Sequence, residues 1–472
     1  MTIPELLDKY LNQYGERPAF VNSQSEGENW IVSVSEFYYD VKKSAYFWRN
    51  HIKESRSRIG IIAENSYQYL VQIFGIICAD HIVVPLNHTL ASEDLYDYFK
   101  AVDLSAVVLE EDYLSDFAER EDRIALYVLQ EVYQESAGYE VCNQNSMTVA
   151  NDTILMLLSS GTSGKSKVVE ITNDNLCAFP NSIVSDESDV VLNVLMLLPF
   201  YHIGGIIPLL EDMMRGNLTY ISHAKYLVRD IKNNEIDKLI LVPAMMKKII
   251  TQCDKSEGFR QSCSTIKNAL CLGAAMDEEL IKRMRQYGIQ PKTYYGLTET
   301  TGTVSCGGEY RDGACGKIAS FCEVKIIDDE ILVRGRNVMK GYYHNSEETN
   351  RVLIDGWFHT GDLGSIDEDG YLYVKGRIKN IIIFSNGENV SPEELEEKLY
   401  QCELIDECIV YGENDRINAD VFCRNMSEEN RVKIEQHIRF VNRMLPPSHQ
   451  IKDLHISEQE LMKNSMGKFL RK

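Results

Sequence analysis

The 472-residue chain has no Cys-x-x-Cys pair, and its longest apolar stretches, such as Val194–Phe200, fall far short of a membrane span of roughly 20 residues. Its 12 cysteines are scattered from Cys78 to Cys423 without the spacing of a structural zinc site, and read as thiols of a reducing compartment. Positive charge is scarce: 49 Lys and Arg stand against 71 Asp and Glu, a formal net charge of −22. Phosphate backbones and anionic lipid surfaces need clustered cations, so nucleic-acid binding and association with a membrane are excluded as general functions. A local basic site for one nucleotide stays compatible with that balance. The opening MTIPELLDKYLNQYGERP has neither a basic nor an apolar leader segment, and no repeat or low-complexity linker interrupts the chain. A cytoplasmic, soluble protein is expected.

What is present is an ordinary globular composition, 44% hydrophobic and 25% charged, at a length that allows two to four domains. From about residue 55, short β-rich runs alternate with amphipathic helical ones: Arg58–Ala63, helix Ser66–Ala79, then His81–Leu86. The alternation returns at Thr153–Leu158, Val190–Leu198, Leu218–Ile221, Leu239–Val242 and Ala269–Leu272. This predicts an α/β fold with a large N-terminal domain of helix-flanked, largely parallel sheets, in which ligands sit beyond the carboxyl ends of strands. Near residue 317 the texture becomes β-rich with tight turns. A helix comes next at Glu393–Tyr400, behind a Ser391 N-cap and Pro392 at its first position. Strands Glu407–Tyr411 and Asn418–Cys423, a helix near Glu428–Met444 and a polar end complete the chain. The expected division is a core over 1–378, with a small β-rich subdomain over 317–378, and a small mobile α+β domain over 379–472.

The strand ending at Leu158 opens into Ser159-Ser160-Gly161-Thr162-Ser163-Gly164-Lys165-Ser166-Lys167. Glycines let backbone N–H groups face anionic oxygens, hydroxyls donate and ammonium groups neutralise, so the loop suits polyphosphate. A solvated turn is the bland alternative. A phosphotransferase P-loop would need glycine where Ser159 stands, although Gly164-Lys165-Ser166 supplies its end. Further on come Pro199-Phe200-Tyr201-His202-Ile203-Gly204-Gly205, Leu272-Gly273-Ala274-Ala275, Tyr294-Tyr295-Gly296-Leu297-Thr298-Glu299, Asp355–Asp362, Gly376-Arg377-Ile378-Lys379, Asn386–Glu393 and Asn464-Ser465-Met466-Gly467-Lys468. Each alone is compatible with a packed turn or a solvated tail.

Taken in order, these segments resemble the motifs of the adenylate-forming superfamily, and the likeness to its AMP-forming acyl-CoA and acyl–carrier-protein synthetases covers nearly the whole chain. The loop departs from the family pattern at Ser163 and at Ser166, where proline is usual. The resemblance implies an enzyme that joins a carboxylic acid to ATP as acyl-AMP with release of pyrophosphate, then passes the acyl group to a thiol. It implies that Ser159, Ser160, Gly161, Thr162, Ser163, Gly164 and Lys167 cradle the phosphates. Gly273, Ala274, Tyr294, Tyr295, Gly296 and Thr298 would surround adenine and the α-phosphate, with Tyr295 stacked on the base. Asp362 would accept the ribose hydroxyls, with Arg377 near ribose and phosphate. Thr162 and Glu299 would hold Mg²⁺, and Lys468 would bridge the incoming carboxylate and the α-phosphate.

His202, Ile203, Gly204, Ala275 and Gly302 are expected to border the acid, Lys379 to be the hinge of the small domain, and the Gly387 loop to meet the thiol acceptor. Tyr201–Gly205 lacks the aspartate that amino-acid-selecting relatives use, which favours an acid without an α-amino group. Aryl and aliphatic acids, and CoA or a carrier-protein pantetheine as acceptor, all stay open, as does a stand-alone adenylating enzyme that loads a carrier protein. A P-loop phosphotransferase and a non-catalytic binding module are the readings from other classes.

Overall fold

The computed structural model describes residues 1–22, 30–118, 124–140, 146–159, 167–182, 190–272, 278–384, 389–413, 416–463 and 469. Two large sheets carry the core. In the first, seven strands run in the order Gly341–Tyr342, Lys167–Thr172, Thr153–Ser159, Ile82–Leu86, Arg58–Ile62, Ala106–Leu109 and Ala125–Val128. The last five are parallel and the first two antiparallel. The second sheet has 14 strands. Its parallel part runs Gln290–Tyr295, Asn268–Cys271, Lys238–Leu241, Asn193–Met196, Leu218–Ile221 and Pro18–Asn22.

One hydrophobic core spans both sheets, joining Ile59, Val83 and Leu155 of the first to Val194, Met196 and Leu270 of the second through the helices between them. Helix Tyr67–Cys78, capped by the Ser66 hydroxyl, buries every residue but Gln68, and helix Ile203–Met214 buries every residue but Gly204. Such all-round burial marks helices held between layers. At Gly75 a Cβ would lie 2.1 Å from Ser44 Oγ of helix Val34–His51, so any larger residue would push these helices apart.

The expected β-rich subdomain is antiparallel and continuous with the second sheet. Ser305–Cys306, Ala314–Ile318, Tyr371–Arg377, Trp357–Ile366, Glu330–Gly335 and Cys322–Ile327 extend it outward from Gln290–Tyr295. Beyond it lie the hairpin Ile382–Ile383/Asn389–Val390, helix Pro392–Tyr400, and a three-stranded sheet of Glu407–Glu413, Arg416–Phe422 and Ile451–Ser457 backed by helix Glu428–Met444. These elements bury their own core, including Leu395, Leu399, Val410, Val421 and Ile434.

Two local expectations are corrected. The polar end contains the strand Ile451–Ser457, parallel to Arg416–Phe422; it is mixed in polarity because only part of an edge strand faces the core. Ser391 does not cap the helix through its side chain; its Oγ lies 3.1 Å from the Lys375 carbonyl and 3.0 Å from Glu393 Oε2, tying the helix start to the strand that precedes it. Among the described residues no helix is long and apolar enough to cross a membrane, and the 11 described cysteines are free.

Candidate active site

Four of the segments singled out from the sequence adjoin the carboxyl ends of core strands. Ser159 ends Thr153–Ser159, the 197–202 turn succeeds Asn193–Met196, Leu272 succeeds Asn268–Cys271 and Tyr295 ends Gln290–Tyr295. The phosphate-type loop leads into the strand Lys167–Thr172, antiparallel to Thr153–Ser159 with Ser159 opposite Lys167. A phosphotransferase P-loop opens a helix whose N-terminus meets the phosphates; a hairpin in that place removes this reading.

At the centre is the turn 296–303, closed by backbone and side-chain bonds. Leu297 N–H donates to Thr300 Oγ1 at 2.9 Å, Gly302 N–H to the Leu297 carbonyl at 2.9 Å, and Asn337 Nδ2 to the Thr303 carbonyl at 2.8 Å. At Gly296 a Cβ would lie 2.2 Å from the Gly302 carbonyl oxygen, so only glycine fits. Three polar or apolar groupings meet this turn.

The first lies at its start. Tyr295 Oη donates to Asp362 Oδ2 at 2.8 Å, and Arg377 Nε lies 2.9 Å from Asp362 Oδ1. Asp362 and Arg377 face each other across antiparallel strands, and Asp362 is 3% exposed. Burial, then the neighbouring Asp362 carboxylate, raises the Tyr295 hydroxyl well above its ordinary pKa, so it stays a donor. The outcome is a buried, doubly held carboxylate beside a guanidinium. Tyr295 was expected to stack on a base; its hydroxyl also orients Asp362. Alternation along the strand turns Tyr294 the other way, into the core.

The second grouping lies at Thr298–Thr300, a single 3₁₀ turn. Tyr342 Oη donates to Glu299 Oε1 at 3.1 Å, and the Tyr342 ring centroid lies 4.8 Å from Lys167 Nζ. Lys167 also pairs with Glu348, which Arg351 clamps at 2.7 and 2.6 Å. Arg351, then Lys167, hold the Glu348 carboxyl down at about 2. Ser159 Oγ and Thr301 Oγ1 are buried with no partner among the described residues.

The third grouping is apolar. Gly302 has φ +84°, and a Cβ there would lie 3.2 Å from both Ile203 and Ile207. Gly204 lies under Leu198 and Leu272, and His202 N-caps the helix beside Tyr201, with ring centroids 4.7 Å apart. Buried Asn65 holds this turn, donating from Nδ2 to the Leu198 carbonyl at 2.8 Å and accepting from Phe200 N–H at 3.0 Å.

Outward from it, Glu64, His88, Glu110, His223 and Lys225 form a further cluster at strand ends. Lys225 Nζ lies 3.0 Å from both Glu64 oxygens, and Glu64 N–H donates to Glu110 at 3.2 Å. Burial pushes Glu110 up to about 7 and lowers His88. Sequence reading missed Tyr342, Glu348, Arg351 and this cluster, since no local pattern marks them. The Asn65-Ser66 pair was visible; its contact with Leu198 and Phe200 was not.

Lys379 is exposed in the turn Ile378–Asn380 between Arg377 and the small-domain hairpin. Ser160, Gly161, Thr162, Ser163, Gly164, Gly273, Ala274, Ala275, Gly387 and Lys468 lie outside the described residues.

A buried carboxylate held beside a guanidinium, a Lys–Glu–Tyr cluster and an apolar wall thus meet at one turn. The chain belongs to the AMP-binding enzyme family, whose model matches residues 7–343, and the C-terminal domain model of that family matches residues 379–472. It is 27% identical over 462 residues to a 2-succinylbenzoate–CoA ligase of Bacillus cytotoxicus, covering 94% of this chain and 91% of that protein. It is 30% identical over 438 residues to the ligase of the same name from a Geobacillus species, covering 88% and 86%. The solved structure of O-succinylbenzoate coenzyme A synthetase from Bacillus subtilis in complex with ATP and magnesium ion shares the fold, with a TM-score of 0.83 at 22% identity over 99% of this chain and 98% of that one. The chain is an ATP-dependent, AMP-forming acid–thiol ligase.

Proposed function

We propose that the chain activates an aromatic carboxylic acid with MgATP and delivers it to the thiol of CoA. The observation that carries the nucleotide reading is the Tyr295–Asp362–Arg377 triangle, in which a charged acceptor is buried and fixed beside a cation. Such a carboxylate suits the two hydroxyls of a ribose, and the guanidinium suits the phosphate beyond it. The donors also fit a divalent cation: Glu299 offers hard oxygens, one fixed by Tyr342 and the other without a partner among the described residues. Bound there, Mg²⁺ supplies charge neutralisation for the triphosphate.

The acid carboxylate attacks the α-phosphorus, pyrophosphate leaves and acyl-AMP forms; the thiol then attacks the acyl carbon and AMP leaves. Since both first reactants are anions, the protein's work is positional and electrostatic. Lys167, Thr162 and the rest of the phosphate loop bind the triphosphate, Thr298 the α-phosphate, and Lys468 bridges the two reactants. His202, Ile203, Gly204, Ala275 and Gly302 line the acid site. The apolar wall formed by Ile203, Ile207 and the bare Cα of Gly302 supports a flat, apolar acid body. The aryl-acid and CoA relatives support the same choice. A small domain beginning at Lys379 then swings to bring the Gly387 loop to the thiol. The reaction belongs in the cytoplasm, where CoA and ATP are both abundant.

The test is a panel of aryl, aliphatic and amino acids scored for acid-dependent pyrophosphate release, first without acceptor, then with CoA or a holo-carrier protein. Thioester formation with an aryl acid and CoA is expected. Transfer only to a carrier protein, or activity confined to amino acids, refutes the assignment.

A further inference from the structure

Tyr342 belongs to no segment singled out from the sequence, yet its position is over-determined. The strand Gly341–Tyr342 pairs with Lys167–Thr172, Tyr342 opposite Val169, and Lys340 N–H and Tyr343 N–H donate to the Glu170 and Val168 carbonyls at 3.0 and 2.8 Å. One residue earlier, Met339 N–H donates to the Glu299 carbonyl at 2.8 Å. The segment 339–343 is thus tied through residues 340–343 to the strand that carries Lys167 and through Met339 to the turn that carries Glu299. Tyr342 N–H is itself held by Thr349 Oγ1 at 2.9 Å, and its side chain is 6% exposed.

We propose that Tyr342 is a positioning residue that sets the carboxylate of Glu299 against the ammonium of Lys167, holding the first with its hydroxyl and the second on its ring face. This rests on the reading of Glu299 as the cation ligand and Lys167 as a phosphate ligand. The physical case is directional. Glutamate and lysine are the long, rotamer-rich side chains that lose most entropy when fixed. A buried phenol donating to one carboxylate oxygen fixes the plane of the other. A ring face attracts the ammonium and orients it without bringing a charge of its own. Glu348, clamped by Arg351, pairs with the same ammonium from a neighbouring helix, and the Tyr342 ring is a second, uncharged hold on it.

The test separates the two functions of the side chain. Tyr342→Phe keeps the ring and loses the hydroxyl; Tyr342→Leu loses both. Binding of a non-hydrolysable ATP analogue is measured by isothermal titration calorimetry over a Mg²⁺ series, in the wild type, both variants, Glu299→Gln and Tyr342→Phe/Glu299→Gln. Tyr342→Phe is expected to weaken the apparent Mg²⁺ affinity about tenfold, the loss of one hydrogen bond to a charged group, while Mg²⁺-free nucleotide binding changes less than about twofold. Tyr342→Leu is expected to weaken both, and the double variant to be no worse than Glu299→Gln alone. If Glu299→Gln shifts the Mg²⁺ dependence and Tyr342→Phe does not, or if the two effects add, the proposal is overturned. If Glu299→Gln itself leaves the Mg²⁺ dependence unchanged, the reading of Glu299 falls and takes the proposal with it. The Phe variant keeps the test decisive should the Leu variant fail to fold.

Discussion

Replacing Asp362 by asparagine is the sharpest perturbation of the nucleotide site. Its carboxylate oxygens face Tyr295 Oη at 2.8 Å and Arg377 Nε at 2.9 Å, both donors. An amide has one accepting oxygen and no charge: it keeps the Arg377 bond only by turning its NH₂ to Tyr295 Oη, which must then accept instead of donate. The charge assistance of both bonds is lost and the Tyr295 hydroxyl must be re-aimed, which costs about 1.5–3 kcal/mol of stability. Arg377 keeps 30% of its side-chain surface in water, so the loss stays below that of breaking a fully buried pair. For the nucleotide, two hydroxyl donors lose a charged acceptor, which at about 3 kcal/mol lowers kcat/KM for ATP by roughly 10². The assay is acid-dependent ATP–pyrophosphate exchange with ATP and with 2′,3′-dideoxy-ATP. The wild-type protein should prefer ATP by about 10², and Asp362→Asn should discriminate by no more than a few-fold. A variant that keeps full discrimination, or loses equally on both nucleotides, would refute the ribose assignment.

Other parts of the molecule yield three further outcomes. Asn65→Ala leaves the Leu198 carbonyl and Phe200 N–H buried without their partner, costing about 2–5 kcal/mol in denaturant unfolding and raising KM for the acid more than KM for ATP. Glu110 is pushed up to about 7 by burial, which outweighs the Glu64 N–H bond to its carboxylate, so the folded state holds a proton that the unfolded chain releases near pH 4.5, and stability falls as pH rises between those values. Thermal melts should therefore show Glu110→Gln more stable than wild type by about 1–3 kcal/mol at pH 8 and indistinguishable at pH 4, with its amide oxygen still accepting from Glu64 N–H. Lys468→Ala should lower ATP–pyrophosphate exchange by about 10²–10³ while thioester formation from preformed acyl-AMP changes far less; equal losses would deny Lys468 its role in adenylation.

The strand–helix alternation over 58–86 and 153–272 was legible because buried parallel strands are short, apolar and punctuated. Helix Tyr67–Cys78 was expected within a residue or two at each end, and helix Glu428–Met444 at its full extent. The family was legible for a related reason: its motif segments are contiguous runs of glycine, hydroxyl and charged residues, and the family models match residues 7–343 and 379–472. Contacts made by pairing across the chain leave none. Tyr342 reaches Glu299 because it sits on the edge strand beside Lys167–Thr172 while Met339 is bonded to the Glu299 turn, and Asn65 reaches Leu198 across 133 positions. The N-terminal strand Pro18–Asn22 was missed because its place is set by Leu218–Ile221, nearly two hundred residues away.

One site makes acyl-AMP from ATP and then a thioester, and the most direct measurement of this tracks the phosphorus and adenine products together. Radiolabelled ATP is incubated with and without an aryl acid and CoA, and the products are separated by chromatography. Pyrophosphate should appear only with acid, and AMP and acyl-CoA should form in equal amounts once CoA is added. Release of ADP and inorganic phosphate, or product formation independent of acid, would contradict it.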